Sequence, residues 1–136
     1  MYKFATRILI GIFTLVILFH LLVIIGYVPS SIVWGGRANS HKELLRLELV
    51  SVLVNVLFLI FILILHRTIN IQINVKIARL VLWIMGILFL LNTIGNLFSK
   101  SNIETMIFTP ITLLLSILSF YLAVQYKIKK PHNLNF

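Results

Sequence analysis

The sequence contains no cysteine, and its 136 residues include only three acids and three prolines. Without thiols there are no disulfides, no thiolate metal sites and no thiol catalysis. Charged residues make up 11% of the chain, against about 25% in soluble domains. A chain that is 60% hydrophobic cannot cover its apolar surface with polar groups in water. Lipid is the solvent that resolves this, and in lipid only helices and closed barrels satisfy their own backbone. A spanning barrel needs alternating segments of about ten residues, whereas the apolar runs here are near-continuous and about twenty residues long, as helices require.

These features predict an all-α, integral membrane four-helix bundle forming one domain over residues 1–136, with helices near 4–28, 41–66, 76–98 and 102–126. The net charge of +9 does not point to nucleic acid, because the basic residues cluster at the ends of the hydrophobic runs. There they act as topology signals and phospholipid contacts. The basic start MYKFATR precedes an apolar run that is too long for a signal h-region and has no A-x-A-like site after it, so it is expected to stay as the first helix. The N-terminus, second loop and tail carry Lys3, Arg7, Arg67, Lys76, Arg79, Lys127, Lys129 and Lys130. The opposite side carries Arg37, Lys42, Arg46 and Lys100. This asymmetry predicts both termini in the cytoplasm. Richness in Ile, Asn and Lys suggests a bacterial cytoplasmic membrane.

Local signals punctuate the spans. Pro29 ends or redirects helix 1, and Trp34 in the loop VPSSIVWGGRAN is expected to anchor at the interface. Ser40 with Glu43, and Ser101 with Glu104, read as capping boxes for helices 2 and 4. The segment INIQINVK alternates with a strand period, yet a lone strand would leave its ladder unpaired. A surface linker is expected there, with Asn74 capping helix 3. Pro110 lies inside helix 4 and should kink it by freeing the Met106 carbonyl. Thr109, Thr112, Ser116, Ser119 and Ala123 form a stripe of small residues, the usual mark of close helix packing.

Glu48 is the acid without a local task. It lies eight residues beyond Ser40, about 12 Å along the axis at about 1.5 Å per residue. Asn55 shares its helix face. Asn92 and Asn96 lie in the outer half of helix 3, and His20 in the outer half of helix 1, while the inner half of the bundle is almost wholly apolar. If these faces converge, a polar cluster forms beneath the WGGR turn. Two readings remain open: helix-to-helix hydrogen bonding, or a pocket for a small or amphipathic ligand, since an intramembrane acid is a functional-site hypothesis by default. Arg37 is the expected partner of a charged Glu48. His20, His41, His66 and His132 show no ligand-like spacing, so no metal and no cofactor are expected.

The segments IVWGGRANSHKE, LLNTIGNLFSKSNIET and FTPITLLLSIL resemble those of small four-span bacterial membrane proteins. The resemblance implies a fold and a membrane, not an activity. DoxX-like proteins and the sterol-isomerase-like EXPERA group are distant analogies only. The paired acids expected of the isomerase-like group are missing, because only Glu48 lies in a span.

The first expectation is therefore a non-enzymatic binding or accessory membrane subunit. Its candidate ligand-binding residues are Glu48, Asn55, Asn92, Asn96, Arg37 and His20, with none assigned as catalytic. Its expected partners are membrane lipids and either a second copy or another membrane subunit. The alternatives are a membrane enzyme acting on a lipid-soluble substrate, with Glu48 as acid/base, and a small proton-coupled transporter. For a monomeric transporter, four short spans without visible inverted repeats argue against the last.

Overall fold

The computed structural model describes residues 1–36 and 38–128. Arg37 and the end of the basic tail lie outside the described residues. Four helices, α1 (Tyr2–Ile24), α2 (His41–Leu65), α3 (Val75–Leu97) and α4 (Thr109–Ile128), make up the fold, and a π-helical turn at Glu104–Phe108 runs directly into α4. No strand occurs among the described residues. Each of the four spans is 23 or 25 residues long and apolar enough to cross a membrane, about 35 Å at 1.5 Å per residue against a hydrocarbon core of about 30 Å. This is the architecture of a multi-pass membrane protein.

The helix ends follow from backbone chemistry. α1 stops four residues short of the expected Val28, because Gly26 takes φ 84° and closes the helix before Pro29 is reached. The Gly26 N–H donates to the Val23 carbonyl and the Tyr27 N–H to that of Leu22, a Schellman arrangement that satisfies the last orphan carbonyls. α2 ends in the same way with Arg67 at φ 64°, where the Thr68 N–H reaches the Leu63 carbonyl. At the start of α2, Ser40 Oγ accepts from the Glu43 N–H, and the Glu43 carboxylate returns to the Asn39 N–H. Asn74 Oδ1 caps α3 by accepting from the Lys76 N–H, and residues 69–74 form an irregular linker.

α1 packs along α2 and α3 along α4, and α1 meets α4 to join the two hairpins, whereas α2 and α3 make little backbone contact. The main apolar core lies toward the chain termini and the second loop. It is built from Leu9, Phe13, Ile62, Leu82, Met85, Leu115 and Leu122. Phe13, Phe58 and Phe89 interlock there with ring centroids 5.7–6.2 Å apart. A second, smaller apolar cluster of Val23, Val33 and Leu44 sits at the first-loop end.

Few polar bonds cross between helices in the main core. Thr6 Oγ1 lies 2.7 Å from His66 Nδ1, joining α1 to the end of α2. On α4, Ser116 donates to the Gly86 carbonyl of α3 at 2.8 Å, and the buried Ser119 and Ala123 continue the small-residue stripe. At Gly86 the helices are so close that an added Cβ would overlap the Phe120 ring, which itself stacks against Trp83 at 5.2 Å. Gly86→Ala should therefore destabilise the bundle by about 1–3 kcal/mol through overpacking. The measurement is SDS titration of the protein in mixed micelles. Phe120→Leu in the same chain should recover part of the loss, and an unchanged midpoint for Gly86→Ala alone would contradict the close approach.

Candidate functional site

Between the two apolar clusters lies a partly open cavity of about 150 Å³. Its polar wall brings together His20 of α1, Glu48 and Asn55 of α2, Asn92 and Asn96 of α3, and Glu104 of the π-helical turn. Phe19, Phe108 and Trp34 add aromatic surface, and Phe89 joins the wall to the main core. Asn92 is the one exposed residue of this lining. It stands five residues before the end of α3, about 8 Å below the helix terminus. The lining thus reaches the exposed surface of the bundle at Asn92.

Glu48 has no exposed surface. A buried carboxylate without partners costs several kcal/mol, and here both oxygens are occupied. Trp34 Nε1–H donates to Oε1 at 2.8 Å, and His20 Nδ1 lies 2.6 Å from Oε2. Two lone-pair atoms that close must share a proton, so at least one hydrogen sits between imidazole and carboxyl. The pair orients the ring and leaves Nε2 accessible, without a protein partner. A carboxylate fixing one imidazole nitrogen while the other stays free is the arrangement that elsewhere serves proton transfer or ligand recognition.

Trp34 is delivered by an unusual backbone. Trp34, Gly35 and Gly36 take φ values of 56°, 65° and 66° in succession. Two glycines adopt the left-handed region freely, but a tryptophan there carries a strain of about 1–3 kcal/mol. The bond to Glu48 offsets that strain by turning the indole inward. The expected interfacial anchor is thus a hydrogen-bond donor to the buried acid, while Arg37, the expected partner of a charged Glu48, lies outside the described residues.

Glu104 also departs from its expected task. Ser101 Oγ does accept from the Glu104 N–H, at 3.3 Å, which is half of a capping box. The carboxylate does not reach back within the helix. Its Oε2 accepts the Gly35 N–H at 2.6 Å and the Ser99 hydroxyl, tying the first loop to the start of the fourth span. Its Oε1 has no protein partner and keeps some accessible surface. A π-helical turn lies just before Pro110, a register change that often accompanies functional sites.

The amides divide in role. Asn96 Nδ2 donates to Thr112 Oγ1 at 3.4 Å, and Thr93 joins the same hydroxyl at 2.9 Å, so this corner bonds α3 to α4. Asn55 behaves differently. Its Nδ2 donates to the Ser51 carbonyl at 2.8 Å. A carbonyl can only accept, so the amide must present nitrogen there, and Oδ1 is left buried without a partner. Native interiors rarely leave such an acceptor unmet. Among the described residues, no group of three His, Asp or Glu side chains is placed to hold a metal ion.

Comparison with family models, with curated proteins and with solved structures returned no match.

The Trp34–Glu48 bond is open to a double-mutant cycle. Trp34→Phe keeps an aromatic ring but removes the donor to Oε1, and the buried acceptor left behind should cost about 1–3 kcal/mol. In a Glu48→Leu background the same change should cost close to nothing. Thermal unfolding in detergent measures all four corners, and equal costs in both backgrounds would mean that the indole bond contributes no stability.

Proposed function

We propose that this protein is an integral membrane binding or accessory subunit that holds a small amphipathic molecule in the cavity beneath the Trp34–Gly36 turn. The observation that carries this reading is the unpartnered Asn55 Oδ1 in a cavity walled by the oriented His20–Glu48 pair. Structural glue would consume its hydrogen-bonding groups internally, as Asn96 and Thr112 do. Asn55 Oδ1, buried without a partner, and the accessible His20 Nε2 and Glu104 Oε1 are left unused by the protein. A few convergent polar groups within mostly apolar walls is the usual composition of a small-molecule site.

Depth and access support the amphipathic character of the ligand. With both termini in the cytoplasm, as the eight-to-four distribution of basic residues favours, the cavity lies in the outer half of the bilayer. Its exposed edge at Asn92 is below the helix end, so a molecule dissolved in the outer leaflet reaches it sideways. We take the membrane to be a bacterial cytoplasmic membrane, consistent with the four-span bacterial proteins that the loop segments resemble. Lipids, and either a second copy or another membrane subunit, are its partners in this reading.

One observation favours a second reading, a membrane enzyme. His20 with Nδ1 held by Glu48 and Nε2 free has the form of a general base. In that case Glu48 acts through His20 rather than directly on substrate.

The absence of cysteine makes the test clean. Single cysteines at Asn55 and Asn92 are treated in intact cells with a membrane-impermeant maleimide, with Lys100→Cys as the exposed control and Leu82→Cys as the buried one. Labelling of both cavity positions within about tenfold of the control is the expected result. If Asn55→Cys is as silent as Leu82→Cys, the cluster is dry helix packing and the binding reading falls. Asn70→Cys, in the second loop, should label only after the cells are permeabilised, and labelling in intact cells would reverse the topology.

A further inference from the structure

The cavity's charge runs against that of the molecule around it. The chain carries 12 Lys and Arg against three acids. Two of those acids, Glu48 and Glu104, line the cavity, and no described lysine or arginine does. An accumulation of carboxylates alone would mean little, but here the buried Asn55, only 7% exposed, adds an unsatisfied carbonyl oxygen to the same wall. Glu104 Oε1 is a second unpartnered acceptor. The surrounding surface is aromatic, with Trp34, Phe19 and Phe108 lining the space. Unpartnered acceptors, two carboxylates and ring faces together suit a cation.

From this we infer that the ligand is a small organic ammonium ion on an apolar body, an inference that rests on the binding reading above. Its N–H groups would meet Glu104 Oε1 and, once the Asn55 side chain shifts to uncover it, the unsatisfied Oδ1, and its body would lie against the rings. The volume of about 150 Å³ equals that of an engineered cavity known to hold benzene, so an amine bearing a single ring is the right size. An anionic headgroup would face two carboxylates with no described lysine or arginine to meet it. A neutral alcohol would leave the charge of Glu104 unanswered. The partial opening toward the bilayer suits a molecule that partitions into lipid through its apolar part.

The experiment uses the full chain in nanodiscs with Trp83→Phe, which leaves Trp34 as the sole tryptophan of the two. Benzylamine, benzyl alcohol and benzoate are titrated at neutral pH while Trp34 fluorescence and the thermal midpoint are recorded. Benzylamine should bind at least about tenfold more tightly than benzyl alcohol, and benzoate should not saturate. Glu104→Gln keeps an oxygen for the Gly35 N–H but removes the charge. It should abolish the amine preference while leaving the alcohol's affinity in place, and that retained affinity shows that the variant is folded. Equal affinity for amine and alcohol, or tighter binding of benzoate, overturns the cation while leaving a ligand-binding cavity standing. Absence of saturable binding by all three probes also overturns it, whereas the binding reading itself falls only if Asn55→Cys is silent to maleimide.

Discussion

A carboxyl group with no solvent contact, placed in an apolar helix, is the constraint around which the first-loop end of this molecule is arranged. Glu48 cannot face lipid and cannot remain bare. One oxygen draws His20 from the neighbouring helix and the other draws Trp34 from the loop. Meeting the second requirement bends three consecutive residues into the left-handed region. The loop then packs against the bundle, and its backbone presents the Gly35 N–H to Glu104 on the far hairpin. One buried acid thus organises contacts among α1, α2, the first loop and, indirectly, the fourth span.

The two ends of the bundle divide the work between them. Toward the termini, Leu9, Phe13, Ile62, Leu82 and Leu122 pack without exposed surface, and small residues bring α3 and α4 into backbone-to-side-chain contact. That end holds the hairpins together with little help from polar groups. The first-loop end has a much smaller apolar cluster and leaves space. A rigid apolar base beneath a polar cavity is what a site needs if its groups are to stay in place while its contents change.

Much of this was legible in the sequence, and the reasons are physical. The spans follow from hydropathy and length. His20, Glu48, Asn55, Asn92 and Asn96 stand out because polar groups in lipid are costly wherever they occur, and the cavity gathers all five. Two residues escaped because a local rule competed with a distant one. Glu104 sits in a Ser-x-x-Glu pattern, which normally consumes the acid within its own helix. Only the fold reveals Gly35 as its partner, 69 residues away. Trp34 at the end of a span suggests an interfacial anchor, yet the two glycines after it were a usable signal. A tryptophan directly before a pair of residues free to turn left-handed can be aimed inward as readily as outward.

The π-helical turn at Glu104–Phe108 has a consequence for how the length of this chain is constrained. A π turn carries one residue more than the α-helix it interrupts, so it acts as a phase shifter between two parts of one span. On the α4 side, Ser116 keeps its bond to the Gly86 carbonyl of α3. On the other side, Glu104 is rotated to meet the first loop. Deleting a single residue from this interval would leave the span long enough and apolar enough to cross the bilayer, with its core alignment intact, and would turn the acid out of the cavity. The number of residues between Ser101 and Pro110 therefore matters as much as their identity, and a length change there would leave a span that still crosses the bilayer but no longer presents Glu104 to the first loop.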